Sequence, residues 1–153
     1  MTTLFDSLKI GRIELKNRIV MAPMTRSRAN DEGVQPGFVA EYYSQRASGG
    51  LLISEATNIS PMAKGYVRTP GIYMPEQIDS WRPVTAAVHG KGGKIFMQVF
   101  HTGRIALPDM LPNNAQPVAP SADRRCSRRF IISSGTTPGS AALRPRNDAM
   151  RNC

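Results

Sequence analysis

Three short apolar runs, at residues 18–22, 51–54 and 95–100, are separated by two stretches of helical pattern, and this spacing restricts the chain more than any other feature. Short strands that alternate with helices pair in parallel through right-handed crossovers. The third run, in KIFMQVFHTGR (residues 94–104), carries Ile95, Phe96, Met97, Val99 and Phe100 almost without interruption, as expected of a strand covered on both faces. Its carboxyl end gathers Gln98, His101, Thr102 and Arg104. In parallel α/β folds that end is where active sites are assembled.

The first run is preceded by two extended segments, residues 7–10 and 13–15, turning at Gly11 and Arg12, which reads as a hairpin closing one end of the core. Residues 38–48 place Phe38, Val39, Tyr42, Tyr43 and Ala47 at helical spacing, and Gly49 and Gly50 end that helix. A second helix opens at Pro75 and Glu76, with Ile78, Trp81, Val84, Thr85 and Val88 on one face, and closes at residues 90–93. The segments at 58–75 and 105–122 read as loops.

The chain has 153 residues, enough for one core but short of the roughly 250 of a complete eight-fold barrel. No apolar run reaches the roughly 18 residues of a membrane span, and the start lacks the pattern of a signal peptide, so a cytoplasmic location is expected. Cys126 and Cys153, the only cysteines, suggest neither a disulfide framework nor a metal site. The net charge of +9 is unevenly spread: residues 1–122 hold 13 Lys and Arg against 9 Asp and Glu, whereas residues 123–153 hold 7 Arg against 2 Asp. A globally basic nucleic-acid face is therefore not indicated.

Four segments in order, RIVMAPMTRSR (18–28), EYYSQRASGGLLISEAT (41–57), KGYVRTPGIY (64–73) and QVFHTGR (98–104), resemble the amino-terminal part of the old yellow enzyme family, most closely its N-ethylmaleimide reductase and alkene reductase branch. The resemblance implies an α/β fold, a parallel (β/α) barrel of the TIM type with about three βα units present and an amino-terminal β-hairpin. It also implies FMN as cofactor, NAD(P)H as reductant, and an activated alkene as the small-molecule substrate.

By the same resemblance, Pro23, Met24 and Thr25 lie under the isoalloxazine, Ala56 packs closely against it, and Gln98 meets its pyrimidine edge. The residues alone leave other readings open. MAPMT is also a strand stopped by proline, Ala56 a small residue ending a buried strand, and Gln98 a satisfied core amide. Phe100, two residues beyond Gln98, points to the same side of its strand; the resemblance makes it and Tyr66 walls of the substrate pocket, where much of the family has tryptophan at the position of Phe100. Tyr66 reads equally as an aromatic plug on a loop. His101 and Arg104 are expected to orient the loop, and His89 has no evident chemical partner.

No catalytic residue is expected here, because the family's proton-donor tyrosine and substrate-anchoring His pair belong to a later strand. Residues 1–122 read as the amino-terminal part of a flavin-binding barrel and residues 123–153 as an Arg-rich, poorly ordered tail. Its abrupt composition suggests a changed reading frame or a faulty gene boundary. The chain alone is expected to be inactive and to retain FMN weakly or not at all. The alternative is a small non-catalytic protein whose seven tail arginines contact an acidic or nucleic-acid partner. One aromatic, Phe130, and no recognised motif weigh against it.

Overall fold

The computed structural model describes residues 1–120. Strands β1 (Leu8–Ile10) and β2 (Ile13–Leu15) form the expected antiparallel hairpin. Gly11 supplies the left-handed conformation of its turn, with φ +57°. Strands β3 (Val20–Met21), α-helix α1 (Phe38–Ser44), β4 (Leu51–Ile53), β5 (Thr57–Asn58), helix α2 (Pro75–Gly90), β6 (Ile95–Phe96) and β7 (Val99–Phe100) follow in chain order. β3, β4 and β6 make a parallel sheet with β4 in the middle, while β5 and β7 pair as a second parallel ladder. The molecule is thus mixed α/β with parallel sheets. No helix among the described residues is long and apolar enough to cross a membrane.

Register decides which side chains meet the helices. Met21, Leu52 and Ile95 are direct neighbours across the three strands. They face α1 and α2, where Leu52 joins Val39, Tyr43, Ala47, Trp81, Val84 and Val88 in one buried cluster flanked by Met21, Ile95 and Met97. The alternate residues face the other way, and there Val20 and Phe96 are 45% and 47% exposed. The expectation that residues 95–100 are covered on both faces is therefore corrected. Helices cover one face only among the described residues.

That run is also not one strand. β4 and β6 align Ile53 with Phe96, whereas β5 and β7 align Thr57 with Val99, so residues 54, 55 and 56 stand opposite residues 97 and 98 only. The additional residue is a bulge, which splits the ladder and re-aims the side chains around it. Ser54 N–H donates to the Phe96 carbonyl at 2.8 Å and Thr57 N–H to the Gln98 carbonyl at 2.9 Å. Between them, Gln98 N–H donates at 3.1 Å to the Ser54 hydroxyl. A side chain thus accepts the bond that the bulge takes away from the backbone ladder.

Helix α1 stops at Ser44, four residues before the expected end. Arg46, Ala47 and Gly49 donate to carbonyls three residues back, a tightened last turn, and side chains from the hairpin side hold its carbonyls: Lys16 Nζ meets Ala47 O at 2.7 Å and Asn17 Nδ2 meets Ser48 O at 2.8 Å. Gly50 is required here, since a Cβ would stand 2.0 Å from the Asn17 carbonyl oxygen. Helix α2 spans its expected range, with Pro75 at its first turn. Its buried face differs from the expected one: Ile78 is 39% exposed and Gln77 takes its place beside Trp81, Val84 and Val88, while Thr85 is half-buried. Gln77 can be buried because its amide is satisfied. Its Oε1 accepts from Tyr73 and Met74 N–H, both at 3.1 Å, and its Nε2 donates to Glu32 O at 2.7 Å.

Past β7 the described chain forms only short 3₁₀ turns at Gly103–Ile105, Pro108–Met110 and Pro112–Asn114. The Arg-rich tail at 123–153, with both cysteines, lies outside the described residues. The burial pattern fixes an expected contrast in stability: Leu52→Ala removes side-chain volume from the closed cluster and should cost about 3 kcal/mol. Phe96→Ala, half exposed on the opposite face, should cost less, about 1 kcal/mol. Urea unfolding followed by Trp81 fluorescence checks both.

Candidate functional site

The carboxyl ends of β3, β4 and β6 run into residues 22–26, 54–56 and 97–98, so the parallel sheet sets three of the predicted site segments side by side. Pro23 is half-buried; Met24, at 54% exposure, and Thr25 are open to solvent. Ala56 is buried in the bulge. Gln98 is half-buried, and its carboxamide makes no hydrogen bond among the described residues, so it is not a satisfied core amide. Its own N–H and C=O are both committed to the β4–β5 side, which holds the residue in place while leaving its head free.

Phe100 ends β7, paired with Asn58 of β5, and is half-buried. Tyr66 is 41% exposed. Its loop is fastened to the end of β7 through Thr102, whose hydroxyl and N–H both donate to Ala63 O, at 2.7 and 3.2 Å. Gly65 lies so close that a Cβ would stand 2.3 Å from the Thr102 side chain. Thr69 Oγ1 then donates to Tyr66 O at 3.1 Å and accepts from Asn58 Nδ2 at 2.9 Å. Tyr66 and Phe100 therefore hang from one hydrogen-bonded unit. His101 Nδ1 accepts from Gly103 N–H at 2.9 Å, the loop-orienting part expected of it, and Arg104 sits in the turn that follows. His89 is exposed on α2.

Beneath these groups is a charged centre that sequence reasoning missed. Glu55 is 1% exposed. Its Oε1 accepts from the Arg26 guanidinium and, at 2.8 Å, from Gln35 Nε2; its Oε2 accepts from Arg26 N–H at 3.2 Å. The Arg26 guanidinium also lies over the Tyr42 ring at 4.1 Å and the Tyr43 ring at 5.1 Å, with Arg46 on Tyr42 at 4.0 Å. Glu55 N–H donates to Tyr43 Oη at 2.9 Å. The available signal was the acid in LLISEAT: a carboxylate ending a buried strand has to be paired.

Burial pushes the Tyr43 phenol up to about 12, and the nearby Glu55 carboxylate adds to that, against the lowering effects of the Glu55 N–H and the Arg26 charge. Two surface hollows fall elsewhere. One is lined by Arg28, Asn30, Asp31, Gln35 and Arg68, the other by Ile13, His89, Lys94 and Phe96, and neither includes a predicted cofactor residue. No group of three or more potential metal ligands occurs among the described residues.

The family model described as NADH:flavin oxidoreductase / NADH oxidase matches residues 3–134. The chain belongs to this family. The old yellow enzyme relationship is carried further by solved structures. A morphinone reductase in complex with tetrahydroNAD superposes with TM-score 0.77 at 50% identity, over 81% of this chain and 34% of that one. The old yellow enzyme homologue from Zymomonas mobilis gives 0.75 at 48%, over 80% and 34%. Among curated proteins, 12-oxophytodienoate reductase 1 of Oryza sativa subsp. japonica is 49% identical over 123 residues, 80% of this chain and 32% of that protein. Chanoclavine-I aldehyde reductase of Penicillium roqueforti (strain FM164) is 54% identical over 113 residues, 72% and 31%. The chain spans about a third of the length of the relatives it matches.

For this old yellow enzyme family chain, the buried phenol gives a measurable consequence. Tyr43 should ionise near pH 12, read as a phenolate absorbance step that Tyr43→Phe abolishes. Because the folded value lies above the ordinary 10.0, its contribution to stability is complete below pH 10 and is lost as pH rises toward 12. The slope is at most about 1.4 kcal/mol per pH unit, and denaturation across that window checks it.

Proposed function

We propose that this chain is the flavin-pyrimidine side of an FMN-dependent oxidoreductase that draws on NAD(P)H to reduce activated alkenes, with residues 1–122 forming the first units of a (β/α)8 barrel. The observation that carries this reading is the Gln98 carboxamide, fixed through its backbone beside the bulge and unpaired at its head. The half-buried head is open to exchange water for a ligand, and an amide offers the donor and acceptor pair that a pyrimidine edge requires. Of the surrounding residues, Ala56 is small and buried just past the end of β4, while Met24 and Thr25 are accessible. The bound flavin would supply hydride acceptance from the nicotinamide and hydride delivery to the alkene.

The chain's own contributions are binding and shaping. Gln98 would hold the pyrimidine edge of the flavin and Thr25 would offer a donor near its N5 and O4, a place where negative charge develops on reduction. Phe100 and Tyr66 wall the substrate side and displace water from it. No described residue is given the proton-transfer step, for His101 is tied to Gly103 N–H and Tyr43 lies buried under Glu55. The chain alone holds part of a site.

The visible spectrum of the purified full chain, taken with added FMN and again after gel filtration, tests this reading. Weak, reversible binding is expected, with Gln98→Ala weakening it about tenfold, the loss of one to two hydrogen bonds. A yellow protein that keeps stoichiometric flavin would overturn the partial-site reading. Wild type and Gln98→Ala that bind FMN equally well would remove Gln98 from the site.

A further inference from the structure

We propose that Glu55 is a positioning residue: one buried carboxylate sets the main chain at Thr25 and Ala56, the two groups on either side of it that face the flavin. The inference rests on the FMN reading of those two residues and adds the device that places them. Thr25 directly precedes the amide that Glu55 holds, since Arg26 N–H donates to Glu55 Oε2 at 3.2 Å. Ala56 directly follows Glu55, whose own N–H is held by Tyr43 Oη at 2.9 Å.

The clamp joins three elements through hydrogen bonds centred on Glu55. The loop after β3 is gripped twice, at Arg26 and, through Gln35 Nε2 at 2.8 Å, nine residues further on. The bulge after β4 contributes the carboxylate, and α1 contributes Tyr43. Neither β3 nor the residues after it have any other bond to this part of the bulge: β3 ends at Met21, and β5 turns to a different neighbour, with Asn58 N–H on Pro70 O at 2.8 Å and Ile72 N–H on Asn58 O at 3.0 Å. The Arg26–Glu55 contacts thus take over where the sheet stops. The side chain is 0% exposed, so solvent does not compete for these bonds.

Charge and shape are both required. A glutamine at position 55 has one acceptor oxygen, which cannot serve Arg26 N–H and the Oε1 donors together, and its NH₂ faces donors on the other side. An aspartate keeps the charge but is one C–C bond, about 1.5 Å, shorter.

The test uses isotope-labelled full chain, wild type and E55Q, with amide hydrogen exchange followed by titration with FMN. In E55Q the Arg26 amide should exchange at least about tenfold faster, while Val84 and Val88 in α2 stay protected. FMN-induced shifts at Thr25 and Ala56 should be lost and those at Gln98 retained, a separation that a general loss of structure does not produce. Should E55Q fail to fold, as judged by Trp81 fluorescence, E55D carries the same test with the charge opposite Arg26 preserved. An Arg26 amide as protected in the variant as in wild type overturns the proposal, as does an unchanged FMN response at Thr25 and Ala56. A wild-type chain without FMN-induced shifts at Thr25, Ala56 or Gln98 would instead refute the flavin reading, with the Arg26 exchange rate still deciding whether the clamp exists.

Discussion

A carboxylate removed from water is the constraint around which this chain is arranged. Burying Glu55 is tolerable only because each oxygen is met, by the Arg26 guanidinium, Gln35 and the Arg26 main chain, with Tyr42 and Tyr43 closing over the guanidinium. Removing one partner of such a pair typically costs about 3–5 kcal/mol, far more than the net worth of the pair itself. The geometry of α1, of the loop before it and of the bulge is therefore mutually enforced. None of the three can relax without stranding a charge.

Much of the fold was legible because it rests on periodicity. The hairpin, the order of strands and helices, and the extent of α2 follow from apolar spacing and from Pro75, Gly11 and the glycines after each helix. What escaped depends on contacts between distant segments. The burial of Gln77 in place of Ile78 beside Trp81 is settled partly by the Tyr73 and Met74 N–H groups at the start of α2 and partly by the Glu32 carbonyl, 45 residues away in sequence. The turn that follows α1 is likewise held by Lys16 and Asn17, 31 residues earlier than the carbonyls they meet.

The neighbouring placement of the proposed site residues was legible to the same extent. Gln98, Ala56 and residues 23–25 lie at neighbouring strand ends because parallel pairing put them there, and family resemblance named them. The bulge could not be read from KIFMQVF and LLISEAT, which look like two uninterrupted strands; only the change of register from Ile53–Phe96 to Thr57–Val99 exposes it. Glu55 was in plain view as an acid in an apolar run; its partner Arg26, 29 residues away, is identified only by the fold.

The change of partner at β5 has one more result. Once Asn58 pairs with the segment around Gly71, no strand remains beside residues 23–25, and the N–H groups of Met24 and Thr25 bond to nothing among the described residues. Two peptide donors are thus presented at the mouth of the sheet, independent of the side chains that accompany them. Every residue except proline supplies such a donor, so this pair of unbonded N–H groups would persist through side-chain changes at positions 24 and 25.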